Sequence, residues 1–297
     1  MRITKEQEDA LSQFKCERLS SDKRNRDLIK NFVCKKGQGL VDYLQGEAWE
    51  DDCDGKTACY LIKAPNGKPC LFFALKCGAL FQPLDEEAIQ KEYEDAQNFL
   101  NLLQDQSSEN PNRDKIMIQL EQLRIKRNMT LEDVKTMVTD NAKRKKNSRQ
   151  RVLKLLETDK IREGARPIQR VGQTFPGIEL THFCADDNEK KIWNLFNFRF
   201  PMGEVLFWKY IAPIFIDIQK FVGCQYAFLF AADRTPDGTL TNYYNVSLKF
   251  SKLSDVGTSK PFYDFCCEFM SQEVVNLKKN METFFENFNL DEQDEIV

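Results

Sequence analysis

The chain has 297 residues, a formal charge of −3 and 41% hydrophobic side chains. That is room for one large domain, or one domain with a sizeable insertion, with enough apolar residues for a core. The small negative charge argues against wholesale binding to nucleic acid or to an anionic membrane, while leaving a local basic face open.

Residues 1–14 (MRITKEQEDALSQF) are charged throughout and lack the apolar run of an export leader, so a cytoplasmic protein is expected. The most apolar stretch, Tyr210 to Ile218 with Phe221 and Val222, is broken by Asp217 and Lys220 and is too short to span a bilayer. The ten cysteines are expected to be reduced and structural. No C-x-x-C occurs and His182 is the only histidine, so the usual zinc constellations are missing and no metal is expected.

In chain order, residues 3–14 suit a short helix and Phe14 to Leu19 a first strand. Leu28 to Cys34 and Leu40 to Trp49 have helical spacing, punctuated by Gly37 and Gly39. Thr57 to Lys63, the turn Pro65-Asn66-Gly67-Lys68 and Cys70 to Lys76 form a hairpin, because Asn-Gly between two β-rich runs supplies the backbone a tight turn requires.

From Leu84 to about Arg166 the character changes. Ile89, Tyr93, Ala96, Leu100 and Leu103 place one narrow apolar seam along a helix. A loop at Ser107 to Asn112 follows, and Ile116, Leu120 and Leu123 open a second helix. Thr130 with Asp133 resembles the cap of a third. Charge is sorted: Asp85, Glu86, Glu87, Glu92, Glu94 and Asp95 lie in the first helix, and Lys143, Arg144, Lys145, Lys146, Arg149, Arg151 and Lys154 in the last part. Two readings follow. Either the halves attract one another as a helical hairpin or are simply solvated faces, or Lys143 to Arg151 meets the phosphates of RNA. No aromatic side chains interleave there to stack bases.

From Gly172 onward the α/β pattern returns: a strand at Ile178 to Ala185, a long helix at Gly203 to Val222 and a buried strand at Gln225 to Ala231. A short helix at Thr239 to Val246, a strand at Phe262 to Met270 and a last amphipathic helix at Glu273 to Phe288 complete the chain. The segment Arg199 to Val205 leads into a helix N-terminus, where unpaired N–H groups and a partial positive charge favour phosphate.

Four ordered pieces carry a resemblance. They are Phe32-x-Cys34 with Leu40-x-x-Tyr43-Leu44 and Ala48 before the hairpin; Leu180-Thr-His-Phe-Cys-Ala-Asp186; Phe200 to Val205; and Asn242-Tyr243-Tyr244 followed by Leu248-Lys249-Phe250. Together they resemble the GNAT superfamily of N-acetyltransferases, nearest to the toxin acetyltransferases of toxin–antitoxin pairs. The family's fourth strand is commonly L-x-R-L-A-V-D, its pyrophosphate loop Q/R-x-x-G-x-G/A, and a later segment F-Y-x-x-L-G-F. This chain keeps Gly203 of the loop signature but has Phe200 and Val205 at the other positions, and carries one extra residue between Tyr244 and Leu248.

The resemblance implies an α/β fold with a GNAT-like mixed central sheet flanked by helices. Residues 1–83 and 171–297 would be the two halves of the acetyltransferase domain, and 84–170 a charged helical insertion. It implies acetyl-CoA as acyl donor and a primary amine as acceptor, a protein or an aminoacyl-tRNA, the latter gripped by Lys143 to Arg151. A homodimer is among the assemblies it allows. Pantetheine would pair with the strand at Phe183, Cys184 and Ala185. Pyrophosphate would rest on the amides of Met202, Gly203, Glu204 and Val205, with Asn242 nearby. Tyr244, then Tyr243, is the candidate proton donor, and Glu179, Asp186, Asp187 and Asp233 are the candidate bases, with His182 a further one. The competing reading is a GNAT-fold protein that has lost activity and binds a protein partner through the insertion.

Overall fold

The computed structural model describes residues 4–83, 86–104, 113–161, 171–233, 237–252, 256–258 and 267–286. The chain divides into two compact units, one made of residues 1–82 and 173–297, the other of residues 83–172.

The first unit is built on a six-stranded sheet in the order β1-β2-β3-β4-β5-β6. A capped helix α1 (Lys5–Ser12) precedes β1 (Lys15–Arg18). Short helices α2 (Asn25–Leu28), α3 (Gln38–Gln45) and α4 (Ala48–Cys53) follow; Leu40 to Trp49 is thus two helices, interrupted at Gly46 and Glu47. The hairpin of β2 (Ala58–Lys63) and β3 (Pro69–Pro83) closes through Gly67, whose φ of 79° is the left-handed value expected of Asn-Gly. Both β3 and β4 (Val171–Ala185) run 15 residues, well past the predicted segments.

Beyond β4 lie α8 (Lys190–Leu195) and one continuous helical stretch: α9 (Met202–Leu206), a π turn at Phe207–Ile211 and α10 (Ala212–Phe221). Then come β5 (Tyr226–Ala231), α11 (Thr239–Val246), β6 (Glu268–Glu273) and α12 (Val274–Glu286). The last strand runs from Glu268 to Glu273; residues 259–266, which hold the start of the strand expected at Phe262 to Met270, and residues 287–297 lie outside the described residues. The sheet is mixed: β1–β2, β2–β3 and β5–β6 are antiparallel, and β4–β5 is parallel. This is the α/β arrangement, mixed sheet with flanking helices, that the sequence implied.

The two faces of the sheet bury separate cores. One gathers Phe73, Ile178, Leu180, Trp208, Phe215 and Phe250 with α9, α10 and α12. The other gathers Phe32, Leu44, Leu61 and Phe72 with α3 and the segment before it. Asp52 ties that second face together. Its buried carboxylate accepts from Arg18 (Nε at 2.8 Å), from the Ser20 amide (2.8 Å) and from the Cys59 amide (2.8 Å), joining β1, the turn after it and β2.

Phe228 fixes where three strands meet. A Cβ on Gly78 of β3 would stand 2.5 Å from its ring, and one on Gly177 of β4 would stand 3.0 Å from it. The ring is buried, so it cannot move aside into water. Gly78→Ala and Gly177→Ala are each expected to cost about 1–3 kcal/mol in urea unfolding. Gly39→Ala, which meets open space in α3, is expected to be neutral or stabilising. Equal midpoints for all three variants would show that the ring does not set the packing.

The second unit contains α5 (Glu86–Gln104), α6 (Arg113–Arg127) and α7 (Leu131–Ile161). Thr130 and Asp133 form the expected cap: the Asp133 amide donates to Thr130 Oγ1 (3.2 Å), and Asp133 accepts from the Thr130 amide (2.9 Å). Leu120, Val134 and Val138 make a small core against Phe99 and Met129. The sorted charges meet, as the hairpin reading expected. Lys145 pairs with Glu92, Arg149 hydrogen-bonds Gln90, and its guanidinium lies 5.2 Å from the Tyr93 ring centroid. Among the described residues, no helix is long and apolar enough to cross a membrane.

Candidate active site

Strand β4 changes face partway along. Ile178 and Leu180 belong to the first core, and so do Phe183 and Ala185, whereas Cys184 belongs to the second. His182 also turns to the second face, where its ring stacks on Tyr43 at 4.0 Å. Side chains of a regular strand alternate, so the three-residue step from Leu180 to Phe183 requires an irregularity between them, as a bulge provides.

At the same place β4 leaves β5. The parallel ladder joins Gly177, Ile178 and Glu179 to Tyr226, Ala227 and Phe228, and there it stops. Both strands continue, β4 to Ala185 and β5 to Ala231, and β5 remains paired on its other side with β6 along its whole length. On the β3 side, Asp186 donates to the Cys70 carbonyl (2.9 Å) and Thr181 Oγ1 to the Ala74 carbonyl (3.2 Å), so β3 and β4 run antiparallel. By alternation the backbone groups of His182 and Cys184 also turn toward β3, and those of Phe183 and Ala185 turn into the gap. Of the three strand residues named from sequence, Phe183 and Ala185 offer the gap their main chain. Cys184 does not, and its side chain lies in the opposite core.

The N-terminal turn of α9 faces this end of β4. A Cβ on Gly203 would stand 2.9 Å from the Tyr243 hydroxyl and 3.4 Å from the Phe183 ring, so glycine is what permits this close approach. The Glu204 and Val205 amides donate to the Pro201 carbonyl (3.0 and 3.2 Å) and are spent within the helix. Of the four amides assigned to pyrophosphate, Met202 and Gly203 are the ones not so used. The Glu204 side chain is buried, which pushes its carboxyl up, opposed by Ser247 and Lys249. Phe200 packs on Phe284 with ring centroids 5.7 Å apart. Asn242 is exposed on α11.

Tyr243 and Tyr244 are neighbours on α11 with different surroundings. Burial raises both phenols far above their ordinary range; the nearby Cys184 adds to this at Tyr244, and Tyr244 and Glu204 add to it at Tyr243. Each therefore stays protonated at neutral pH and can donate. The helix closes through Phe250, whose amide donates to the Tyr244 carbonyl (2.9 Å). Lys249 stands at φ 63°, so the chain keeps a left-handed turn where the resembled motif has glycine.

The structure sorts the carboxylates that the sequence left equal. Asp187 is held below the usual range by Lys190 and the Lys35 amide. Asp186 is buried and accepts from the Asn188 amide (2.8 Å), and Asp233 accepts from the Thr241 amide (2.8 Å). Glu179 is the last paired residue of β4 at the mouth of the gap, and burial raises its carboxyl, opposed by Lys76. Burial drives His182 down to about 4, so it is neutral, and its stacking against Tyr43 makes it a packed member of the second core. No group of three or more His, Cys, Asp or Glu suited to a metal occurs among the described residues.

The sequence contained no signal for the face change in β4, which depends on the count of residues against a neighbouring strand. The place of Glu179 at the end of the ladder was equally hidden, because it follows from where β5 stops pairing.

No family model matches this sequence, and no curated protein matches it. Solved structures do. One is a Tyr-to-Phe mutant of the AtaT toxin, with TM-score 0.45, 9% identity and 90% of this chain covered against 93% of that one. The same mutant toxin bound to the C-terminus of the antitoxin AtaR and acetyl-CoA gives TM-score 0.44, 11% identity and coverage of 92% and 98%. AtaT complexed with acetyl-methionyl-tRNAfMet gives TM-score 0.41, 10% identity and coverage of 92% and 99%.

Proposed function

We propose that this chain is an acetyl-CoA-dependent N-acetyltransferase acting on a primary amine. The observation that carries the reading is the parallel ladder that ends at Glu179 while both strands run on. Such a gap leaves main-chain donors and acceptors that an extended amide-bearing ligand can satisfy as an added strand. Pantetheine has that form. Phe183 and Ala185 would pair with it, and the Met202 and Gly203 amides would receive the pyrophosphate at the head of the helix. Glu204 and Val205 would shape that turn, Cys184 would back the strand from the other face, and Asn242 would stand at the exposed rim.

In the reaction a neutral amine attacks the thioester carbonyl. Glu179, raised by burial at the mouth of the gap, is placed to take the ammonium proton. A β4 amide turned into the gap is placed to stabilise the oxyanion, a contribution of about 3 kcal/mol in comparable acyl transfers. Tyr244 gives its hydroxyl proton to the departing thiolate, with Tyr243 the second candidate. No metal is needed for these steps.

Isothermal titration of acetyl-CoA tests the reading. Saturable binding is expected, and Gly203→Trp is expected to abolish it by driving a ring into Tyr243 and Phe183. No heat from the wild-type chain would remove the proposal. Binding without acetylation of any amine in a lysate, read by mass spectrometry, would favour the interaction-protein reading. That second reading is supported by the two helix amides already committed to Pro201. For the acceptor, Lys143, Arg144, Lys146 and Arg151 are exposed with no ion pair among the described residues. They suit the phosphates of an aminoacyl-tRNA. Cytoplasmic residence accords with such a substrate.

A further inference from the structure

Cys34 and Cys184 are far apart in sequence and meet beside Gly37. A Cβ on Gly37 would stand 3.3 Å from Cys34 Sγ and 3.6 Å from Cys184 Sγ, so both sulfurs crowd one point that only a glycine leaves free. Cys184 is buried in the second core, while Cys34, packed against that core, is only partly covered. The Cys184 thiol and the backbone at Lys36 and Gly37, just before α3, lie beside the Cys34 sulfur. These hold the Cys34 thiol below the ordinary thiol range, and the same contact raises Cys184. The pair thus has unequal members: a partly exposed sulfur and a sheltered one that keeps its proton. By contrast, burial raises Cys16, Cys59 and Cys70, each to about 12 or beyond.

We propose that Cys34 and Cys184 form a peroxide-reactive dithiol, with Cys34 the attacking sulfur and Cys184 the resolving one. The Cys34 thiolate attacks one oxygen of hydrogen peroxide; the O–O bond breaks, and the departing hydroxide takes a proton and leaves as water. The sulfenic acid so formed is attacked by Cys184, the S–S bond forms, and the hydroxyl leaves with the Cys184 proton as a second water. Two thiols and one peroxide become one disulfide and two waters; the sulfurs lose two electrons and the peroxide gains them. The disulfide would anchor the end of β4, which β5 leaves unpaired on one side, to the segment before α3, directly between Phe183 and Ala185. Its effect on acetyl-CoA rests on the acetyltransferase reading.

The test treats the reduced full-length protein with hydrogen peroxide, alkylates the remaining thiols and reads the peptides by mass spectrometry. A Cys34–Cys184 linked peptide is expected before oxidation at the exposed Cys53 and Cys77, and dithiothreitol should reverse it. In Cys184→Ser the Cys34 sulfenic acid should accumulate and be trapped by dimedone; in Cys34→Ser no link should form. Oxidation of Cys53 or Cys77 ahead of Cys34, or linkage of Cys34 to another cysteine, overturns the proposal. The competition among thiols in the wild-type chain decides the matter even if Cys184→Ser does not fold. In a second arm, acetyl-CoA should bind the oxidised wild type roughly tenfold more weakly than the reduced form. Peroxide-treated Cys34→Ser should bind like the reduced wild type. Equal affinity of oxidised and reduced wild type would remove the coupling. A reduced wild type that binds no acetyl-CoA would instead sink the acetyltransferase reading and leave the disulfide chemistry to the mass spectra.

Discussion

Tyr244→Phe is expected to lower kcat for acetyl transfer roughly a hundredfold, while KM for acetyl-CoA stays within about twofold. The substitution removes one hydroxyl from a buried ring and leaves its packing in the first core intact. Only a group that acts in the transition state gives that split. Tyr243→Phe should behave differently, because the Tyr243 hydroxyl lies over Gly203, at the head of the helix proposed for pyrophosphate. Its expected signature is a raised KM with little change in kcat. Steady-state rates with the amine identified from lysate would decide, and an unchanged kcat in Tyr244→Phe would assign the proton transfer elsewhere.

Asp52→Ala is expected to destabilise the fold by about 3 kcal/mol, at the lower end for a buried pair because Arg18 partly reaches water. Burial opposes the Asp52 charge, but hydrogen bonds from Arg18, Ser20 and Cys59 outweigh it and hold the carboxyl below its ordinary range. The sign follows from linkage. A carboxyl whose folded pKa lies below its unfolded value near 3.9 contributes its full stability above about pH 4. That contribution is lost as pH falls through the folded value. Urea midpoints of wild type and variant should therefore differ by a constant amount from about pH 5 to 8 and converge below about pH 4. A gap that persists at low pH would mean that Asp52 acts through packing and not through its charge.

Local chemistry made much of the fold legible. The Asn66-Gly67 turn, the Thr130 cap and the apolar helix after Gly203 depend on neighbours in sequence, and the acid-base match between α5 and α7 showed as two blocks of opposite charge. The longer course of β3 and β4 was hidden, because residues 77–83 and 171–177 lack the apolar alternation that marks a half-buried strand. The site was half legible. Gly203 and the tyrosines sit in the expected elements, but the inward and outward roles of Phe183 and Cys184 depend on register, which no single strand encodes.

The uneven step in β4 has a consequence for how such a strand tolerates change. Between Leu180 and Phe183, position is carried by residue number and not by residue kind. Removing Thr181 would let plain alternation keep Leu180 and Phe183 on one face, so every later side chain would hold its side of the sheet. Straightening the strand with its length kept would instead put the Cys184 thiol where a phenyl ring lines the cleft and drive that ring toward Tyr43. Conservative exchanges along Thr181 and His182 that keep the irregularity should be absorbed, whereas one that straightened the strand at its present length would turn the cleft inside out.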